Sequence, residues 1–357
     1  MKVKVYDLIE GCIINKDVYS KSNHPIVLKR TVVNQEVLEV LEAFLIDEVE
    51  VEKLLENGDP FPNEGIGEET SISSEKTSFY TQYMSAVDLY KNEFKSWQAG
   101  SPIDILKIRD CIIPLFISFT KKPEELVMIH RYAKKQDYLY HHSVATGLIS
   151  GFLAIKSNLP AGEAAQIAIA GILADCGLAR VDQKVLKKLG KNTFEEKEEI
   201  KKHPLYSYKL IQNIPSIKDA TKLAILQHHE RLDGSGYPQR ESANRIHKFS
   251  RVISIAAYYH EMCSGEGNFI SLSPFKVVEN MIEDSFGKFD LEIVQNLVRY
   301  VAGFSLGSTV KLNDGSIGDV MFVDSKAPLR PIIKIKKSEQ LLDLRNNRKY
   351  FIDKIIH

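Results

Sequence analysis

Two adjacent histidines open the stretch His228-His229-Glu230-Arg231-Leu232-Asp233-Gly234-Ser235-Gly236-Tyr237-Pro238. Imidazole binds divalent transition metals and carries protons near neutral pH. The pair ends an apolar run over 217–227, in which Ile217, Ala220, Ala224 and His228 share one helical stripe. His228 therefore points where the core points. A buried imidazole needs a partner, and a metal is one such partner. Taken alone, a His-His pair is more often an accident of surface or core, so other side chains must decide. His142 sits early in a helical run, Asp175 near the end of another, and His203 opens a third. Imidazoles and a carboxylate gathered from helix ends suit Fe, Mn, Zn or Ni, as in bundle-type metal sites.

The loop after the histidines has its own chemistry. Gly234 and Gly236 permit a sharp backbone turn, and Asp233-Gly234-Ser235 reads as an Asx-type turn that fixes it. His141 is expected to face away from His142, on the surface. His24, His130, His247 and His260 belong to no constellation and read as solvated or core histidines.

These residues need helices to hold them, and the chain supplies helices over most of its length. Residues 1–57 read as a small α/β module: strands near 2–6, 11–18, 25–29 and 46–51, and a helix from Gln35 to about residue 45 capped by Asn34. Residues 58–77 are polar, with Gly, Pro and Ser, and read as a linker. Connecting helices follow over 78–125, the second opening near Pro102. Pro114 should kink or divide it. From 126 to 306 the pattern is helical, with an Ala-rich buried helix over 161–178 and a solvated charge run over 195–202. After residue 307 the period becomes that of strands. Asn313-Asp314-Gly315 is a hairpin signal inside an antiparallel β tail, 307–357.

Composition sets limits. The chain has 357 residues, 44% apolar and 26% charged, with 47 basic and 47 acidic side chains. That balance gives no electrostatic footprint for a nucleic-acid polymer. No apolar run is read as a membrane span and no signal-peptide region as such, so a cytoplasmic protein without membrane attachment is expected. Cys12, Cys111, Cys176 and Cys263 are scattered, as reduced thiols in such a protein would be.

The undecapeptide 228–238 resembles the signature of the HD-GYP family, bacterial metal-dependent phosphohydrolases that cleave cyclic di-GMP. Gly236, Tyr237 and Pro238 match its GYP tripeptide, and a weaker likeness runs over 126–312. The resemblance implies a mainly α fold: a helical HD-type bundle with the N-terminal α/β module and the C-terminal β tail attached. It also implies two metals about 3.5–4 Å apart, bridged by a carboxylate. Carried over, His142 matches the first metal's early histidine and Asp175 the bridging aspartate. His203, His228 and His229 match the second metal's histidines. Asp175 is the candidate catalytic residue. Tyr237, with Gly236 and Asp233, is the candidate substrate contact; a packed Tyr capping a carbonyl is the equal alternative.

The chain departs from that pattern where it matters. The doublet reads Ala174-Asp175, a later aspartate is Ala257, a lysine is Leu178, and a basic pair is replaced by 264–269. A methyl group offers no donor atom. The first metal keeps His142 and Asp175 only, whereas the second keeps Asp175, His203, His228 and His229. One divalent transition metal at most is expected, iron or manganese ahead of zinc. Three functions follow: a catalytically impaired signalling module that binds cyclic di-GMP, another cyclic nucleotide or a protein partner; a slow single-metal phosphodiesterase; or a homodimeric interaction scaffold.

Overall fold

The computed structural model describes residues 2–5, 8, 10–19, 25–43, 46, 48–52, 54–56, 78–188, 191–265, 271–283 and 287–356. The chain divides into two compact units, Met1–Glu75 and Lys76–His357. In the first, β1 (Lys2–Lys4) pairs antiparallel with β4 (Glu48–Glu50), and β2 (Val18–Tyr19) with β3 (Pro25–Val27). Helix α1 (Gln35–Ala43) lies between β3 and β4 in sequence, and Asn34 caps it by accepting from the Val37 amide at 2.9 Å. Cys12, Ile14, Val33, Leu41 and Val51 are the most buried members of this unit's own core. The 58–77 linker and His24 lie outside the described residues.

The second unit is a helical bundle followed by a sheet. Ser78 caps α2 (Phe79–Gln98), whose buried side chains Tyr83, Val87, Tyr90, Phe94 and Trp97 recur at helical spacing. Helix α3 (Ile105–Thr120) begins later than Pro102 because Asp104 is its cap, accepting from the amides of Leu106 and Lys107. Pro114 does not divide it; the helix continues through that residue. Helices α4 (Tyr138–Lys156) and α5 (Ala161–Leu173) pack backbone against backbone. A Cβ on Gly147 would come within 2.9 Å of the Ala168 carbonyl, and one on Gly171 within 2.8 Å of the Gly147 Cα. Only glycine lets the two axes approach so closely.

The Ala-rich helix ends at Leu173, earlier than expected, and a 3-10 turn, Cys176–Arg180, follows. By length and composition alone the stretch Ala161–Arg180 is apolar enough to cross a membrane, contrary to the expectation that none is. Most of it is buried in the bundle, which accounts for its hydropathy. Short helices α6 (Gln183–Leu186) and α7 (Phe194–Ile200) lead to α8 (His203–Ile211) and α9 (Asp219–Leu226). The long α10 (Lys248–Ser264), α11 (Pro274–Glu283) and α12 (Leu291–Val301) complete the bundle.

The C-terminal strands β5 (Thr309–Leu312), β6 (Ile317–Phe322), β7 (Ile332–Ile335), β8 (Leu341–Asp343) and β9 (Ile352–Ile356) form one antiparallel sheet, in the order β8-β7-β6-β5-β9. Gly315, at φ +87°, makes the hairpin turn between β5 and β6. Val310, Val320, Ile333 and Ile352 of this sheet join the same apolar core as the helices. The mainly α fold, with a five-stranded antiparallel sheet at its C-terminal end, is as the sequence implied.

Candidate metal centre

Three helix ends meet at one carboxylate. Asp175 follows α5 in the turn before Cys176; His203 is the first residue of α8; His228 and His229 follow the last turn of α9. Ser207 fastens the first two together. Its hydroxyl donates to the Ala174 carbonyl at 2.6 Å and accepts from the Gly177 amide at 2.8 Å. Gly177 is required there, because a Cβ would lie 2.2 Å from the His203 carbonyl.

One donor atom from each of Asp175, His203, His228 and His229 lies within 4.8 Å of all the others. His203 Nε2 is 3.0 Å and His228 Nε2 is 3.4 Å from Asp175 Oδ1, and the two nitrogens are 3.2 Å apart. Their Nδ1 atoms face the carbonyls of Ile200 at 2.8 Å and Ile225 at 2.7 Å. A carbonyl only accepts, so both Nδ1 atoms carry the proton and both Nε2 atoms present lone pairs. Two lone pairs and a carboxylate oxygen then converge with no proton among them. That is an electrostatic conflict unless a cation sits between them. Donors on opposite sides of one ion lie about 4.0–4.4 Å apart, so this set fits a divalent transition metal to within a few tenths of an ångström.

His142 reaches the same carboxylate from the other side, its Nε2 at 3.6 Å from Asp175 Oδ2. It stands outside the four-donor set. Ala174 and Ala257 are both buried, at 1% and 5% exposure, and offer nothing to an ion. Burial alone would raise the Asp175 carboxyl; positive charge and N–H groups at the His203 and His228 positions hold it well below the usual carboxylate range, the part a cation among the three lone pairs would take over. Burial keeps His142, His228 and His229 below the usual imidazole value, and therefore neutral.

The glycine loop is tied down by residues whose role was not read from the sequence. The buried Glu230 carboxylate accepts from the amides of Gln239 at 2.7 Å and Glu241 at 3.1 Å. Asp233 accepts from the Ser235 amide and hydroxyl, at 2.9 and 2.6 Å, which is the Asx turn. Gly234 has φ +78°, and a Cβ on Gly236 would come within 2.5 Å of three backbone atoms of 229–231. Tyr237 stacks on His229, ring centroids 4.6 Å apart and planes 18° from parallel. The Arg231 guanidinium bonds the Ser254 hydroxyl at 2.8 Å and the Glu230 carbonyl at 3.0 Å, and lies over Phe289. Among the described residues no carboxylate comes within ion-pair distance of it.

Two histidines require correction. His141 does face away from the site, but it is buried, not on the surface: α2 covers it, and its Nδ1 lies 3.3 Å from the Tyr83 hydroxyl. His260 is no bystander, since its Nδ1 lies 3.0 Å from His142 Nδ1. The signal was available: His260 falls one turn after Ala257 on α10. His247 caps α10 by accepting from the Phe249 amide, a structural role, and His130 is a partly buried core histidine.

The HD domain model matches residues 124–293, and the model of a KOW domain associated with HD domains matches 309–357. The cyclic di-GMP phosphodiesterase PA4108 of Pseudomonas aeruginosa is 26% identical over 242 residues, 68% of this chain and 58% of that protein. The cyclic di-GMP phosphodiesterase PdeB of Borreliella burgdorferi is 28% identical over 207 residues, 57% of this chain and 54% of that one. The solved structure of Bd1817, a HDG"Y"P protein from Bdellovibrio bacteriovorus, superposes with a TM-score of 0.53 at 16% identity, covering 85% of this chain and 99% of that one. The chain belongs to the HD-GYP family. It spans a little over half the length of these curated relatives. In this HD-GYP chain the family's bundle is what draws Asp175 and the three histidines together.

Proposed function

We propose that this chain is an HD-GYP module specialised for binding, holding one divalent ion at Asp175, His203, His228 and His229, and a cyclic dinucleotide beside it. Iron or manganese is the expected ion. The observation that carries the reading is the asymmetry around Asp175: a four-residue donor set with His203 and His228 at Oδ1, and a single imidazole, His142, at Oδ2, with Ala174 and Ala257 supplying no donor. An ion bound there would polarise a phosphoryl oxygen and lower the pKa of a water. The protein's own part is to position. Asp175 offsets the ion's charge while His203, His228 and His229 ligate it; Tyr237, braced on His229, offers a ring face to a base or a hydroxyl to a phosphate; Arg231 offers a charge that, among the described residues, no carboxylate cancels at contact distance.

Rapid phosphodiester hydrolysis asks for a second clamp on the leaving oxygen. Losing one such electrostatic element typically costs on the order of 10²–10³ in rate. The test is elemental analysis of the purified chain, then calorimetry and a turnover assay with cyclic di-GMP under reducing conditions. One ion per chain, saturable binding and negligible turnover support the proposal. Turnover at or above about 1 per second overturns it.

A second reading keeps the enzyme. The four-donor set is complete, which favours slow hydrolysis with a single ion. Metal-dependent turnover abolished by His228→Ala would establish it, and absence of any turnover would remove it. By resemblance to its relatives the protein is expected in the cytoplasm; a protein partner or a second copy of the chain is the remaining expectation, for chromatography and pull-down to decide.

A further inference from the structure

We propose that a hollow beside the edge strand β9 is a second ligand site, one that takes a small amphipathic anion: an apolar body with a sulfonate, carboxylate or phosphate head. The hollow shares no lining residue with the metal centre, so the proposal is independent of the one-ion reading. It encloses about 350 Å³, within the range of small-molecule pockets. Its walls are two 3-10 turns, Pro123–Val127 and Ile129–Tyr132, the start of α11, the end of α12, and residues 353–355 of β9.

These walls are fastened to one another. The Ser273 hydroxyl, just before α11, donates to the Ile352 carbonyl of β9 at 2.8 Å. Arg330, paired with Glu279 of α11, donates to the Tyr350 carbonyl at 2.7 Å. The Tyr259 hydroxyl of α10 donates to the Leu126 carbonyl in the first 3-10 turn at 3.0 Å. The hollow is therefore built into the fold, and filling it costs little ordering of the protein.

Its chemistry changes from depth to mouth. Phe275 and Val301 are 4% and 1% exposed, so the deep lining is apolar, and half-buried Val127 extends it outward. Arg131 and Arg299 are exposed and Lys354 is half-buried, so the cations gather towards solvent. Glu124 and Asp353 also line the hollow. Among the described residues, no carboxylate lies within ion-pair distance of any of the three cations. Lys354 also stands directly across from Lys311 in the β5–β9 register. Like charges opposite each other on a sheet are unfavourable, and an anion at the mouth relieves them. With Lys311, four cations stand against two carboxylates. The two guanidiniums present N–H forks that match a flat or tetrahedral oxyanion. An apolar body fits the depth, where a polar one would leave its own groups unpaired against Phe275 and Val301.

Calorimetry with three amphiphiles that share an octyl chain tests this: octanesulfonate, octyl glucoside and octyltrimethylammonium. Octanesulfonate should bind one per chain with a dissociation constant of about 0.1–1 mM, octyl glucoside more weakly, and octyltrimethylammonium without saturation over the same range. An exposed charge contributes up to about fivefold in affinity. Arg131→Gln, Arg299→Gln and Lys354→Gln combined should therefore weaken octanesulfonate by about tenfold or more, and octyl glucoside by no more than about twofold. Val127→Trp fills the hollow from a half-buried position and should abolish binding of both, with thermal unfolding showing that the variant is folded. Equal affinity for octanesulfonate and octyltrimethylammonium, no binding of either, or an unchanged octanesulfonate affinity in the triple variant overturns the proposal. So does a dimer in sedimentation that Val127→Trp dissociates, because the occupant would then be a second copy of the chain.

Discussion

Replacing Gly236 by alanine adds a single carbon to a place that cannot take it. The new Cβ would lie 2.5 Å from the Arg231 nitrogen, the Glu230 Cα and the His229 carbonyl oxygen. All three are backbone atoms, so no side chain can swing aside. Ordinary contact requires nearly 1 Å more, and that displacement must be taken up by residues 229–231. Overpacking of this kind costs about 1–3 kcal/mol. For a unit of this size each kilocalorie lowers the melting temperature by roughly 2–4 °C, so a fall of about 2–12 °C is expected. The larger effect should fall on the ion, because the His229 backbone moves with its imidazole and Tyr237 is stacked upon that ring. Disturbing the groups that orient a ligand typically costs 10–100-fold in metal affinity. Zinc affinity measured by competition with a chromophoric chelator should therefore weaken by about that factor. Gly162→Ala is the control, since a Cβ there meets nothing within 4 Å. If Gly236→Ala matched the Gly162→Ala control in both melting temperature and zinc affinity, the loop would not be the backbone-packed clamp described here.

Other perturbations separate the supports of the site. Ser207→Ala removes the hydroxyl joining the Ala174 carbonyl to the Gly177 amide; leaving those buried groups unpaired should cost about 1–3 kcal/mol in urea unfolding, with zinc affinity falling alongside. Glu230→Gln leaves one acceptor oxygen for the two amides of Gln239 and Glu241, and should cost about 1.5–3 kcal/mol, read locally as faster hydrogen exchange at those amides. Acid should destabilise the chain through its buried histidines, His130 and His141 among them. Burial lowers His130 to about 3 and His141 to about 4, so the unfolded chain binds protons below about 6.5 that the folded chain refuses. Stability is then full above about pH 6.5 and falls with pH down towards 4, by about 1–2 kcal/mol per unit. This is below the two-proton limit because His130 is partly exposed. His141→Phe should flatten that slope, and an unchanged slope would exclude His141 from the effect.

The site's ligands were more legible than the parts that hold them, for a physical reason. His228 and His229 stood out because an apolar stripe carried an imidazole into the core, and Asp175 and His203 because each ended or opened a helical run. Ser207, Glu230 and Arg231 carried no such mark. Their partners are backbone amides, backbone carbonyls and a serine 23 residues away, set by tertiary packing that no period reveals. Pro114 shows the same limit from the opposite direction: local preference would divide α3, yet a helix packed against α2 and α4 runs through it. His141 was placed on the correct side of its helix and assigned the wrong burial, because the periodicity of α4 says nothing about α2 lying across it.

The two oxygens of Asp175 differ in what surrounds them, and that difference organises the centre. Oδ1 is approached by imidazoles whose protons are committed to helix carbonyls, at Ile200 and Ile225. Those carbonyls belong to the ends of local helical turns, so the lone pairs at Oδ1 are fixed by secondary structure. Oδ2 is approached by one imidazole whose far nitrogen meets side chains, Tyr138 and His260, and not a carbonyl. The lone pairs at Oδ1 are therefore tied to the fold itself, whereas the far nitrogen of the imidazole at Oδ2 meets side chains that a single substitution can change without disturbing a helix.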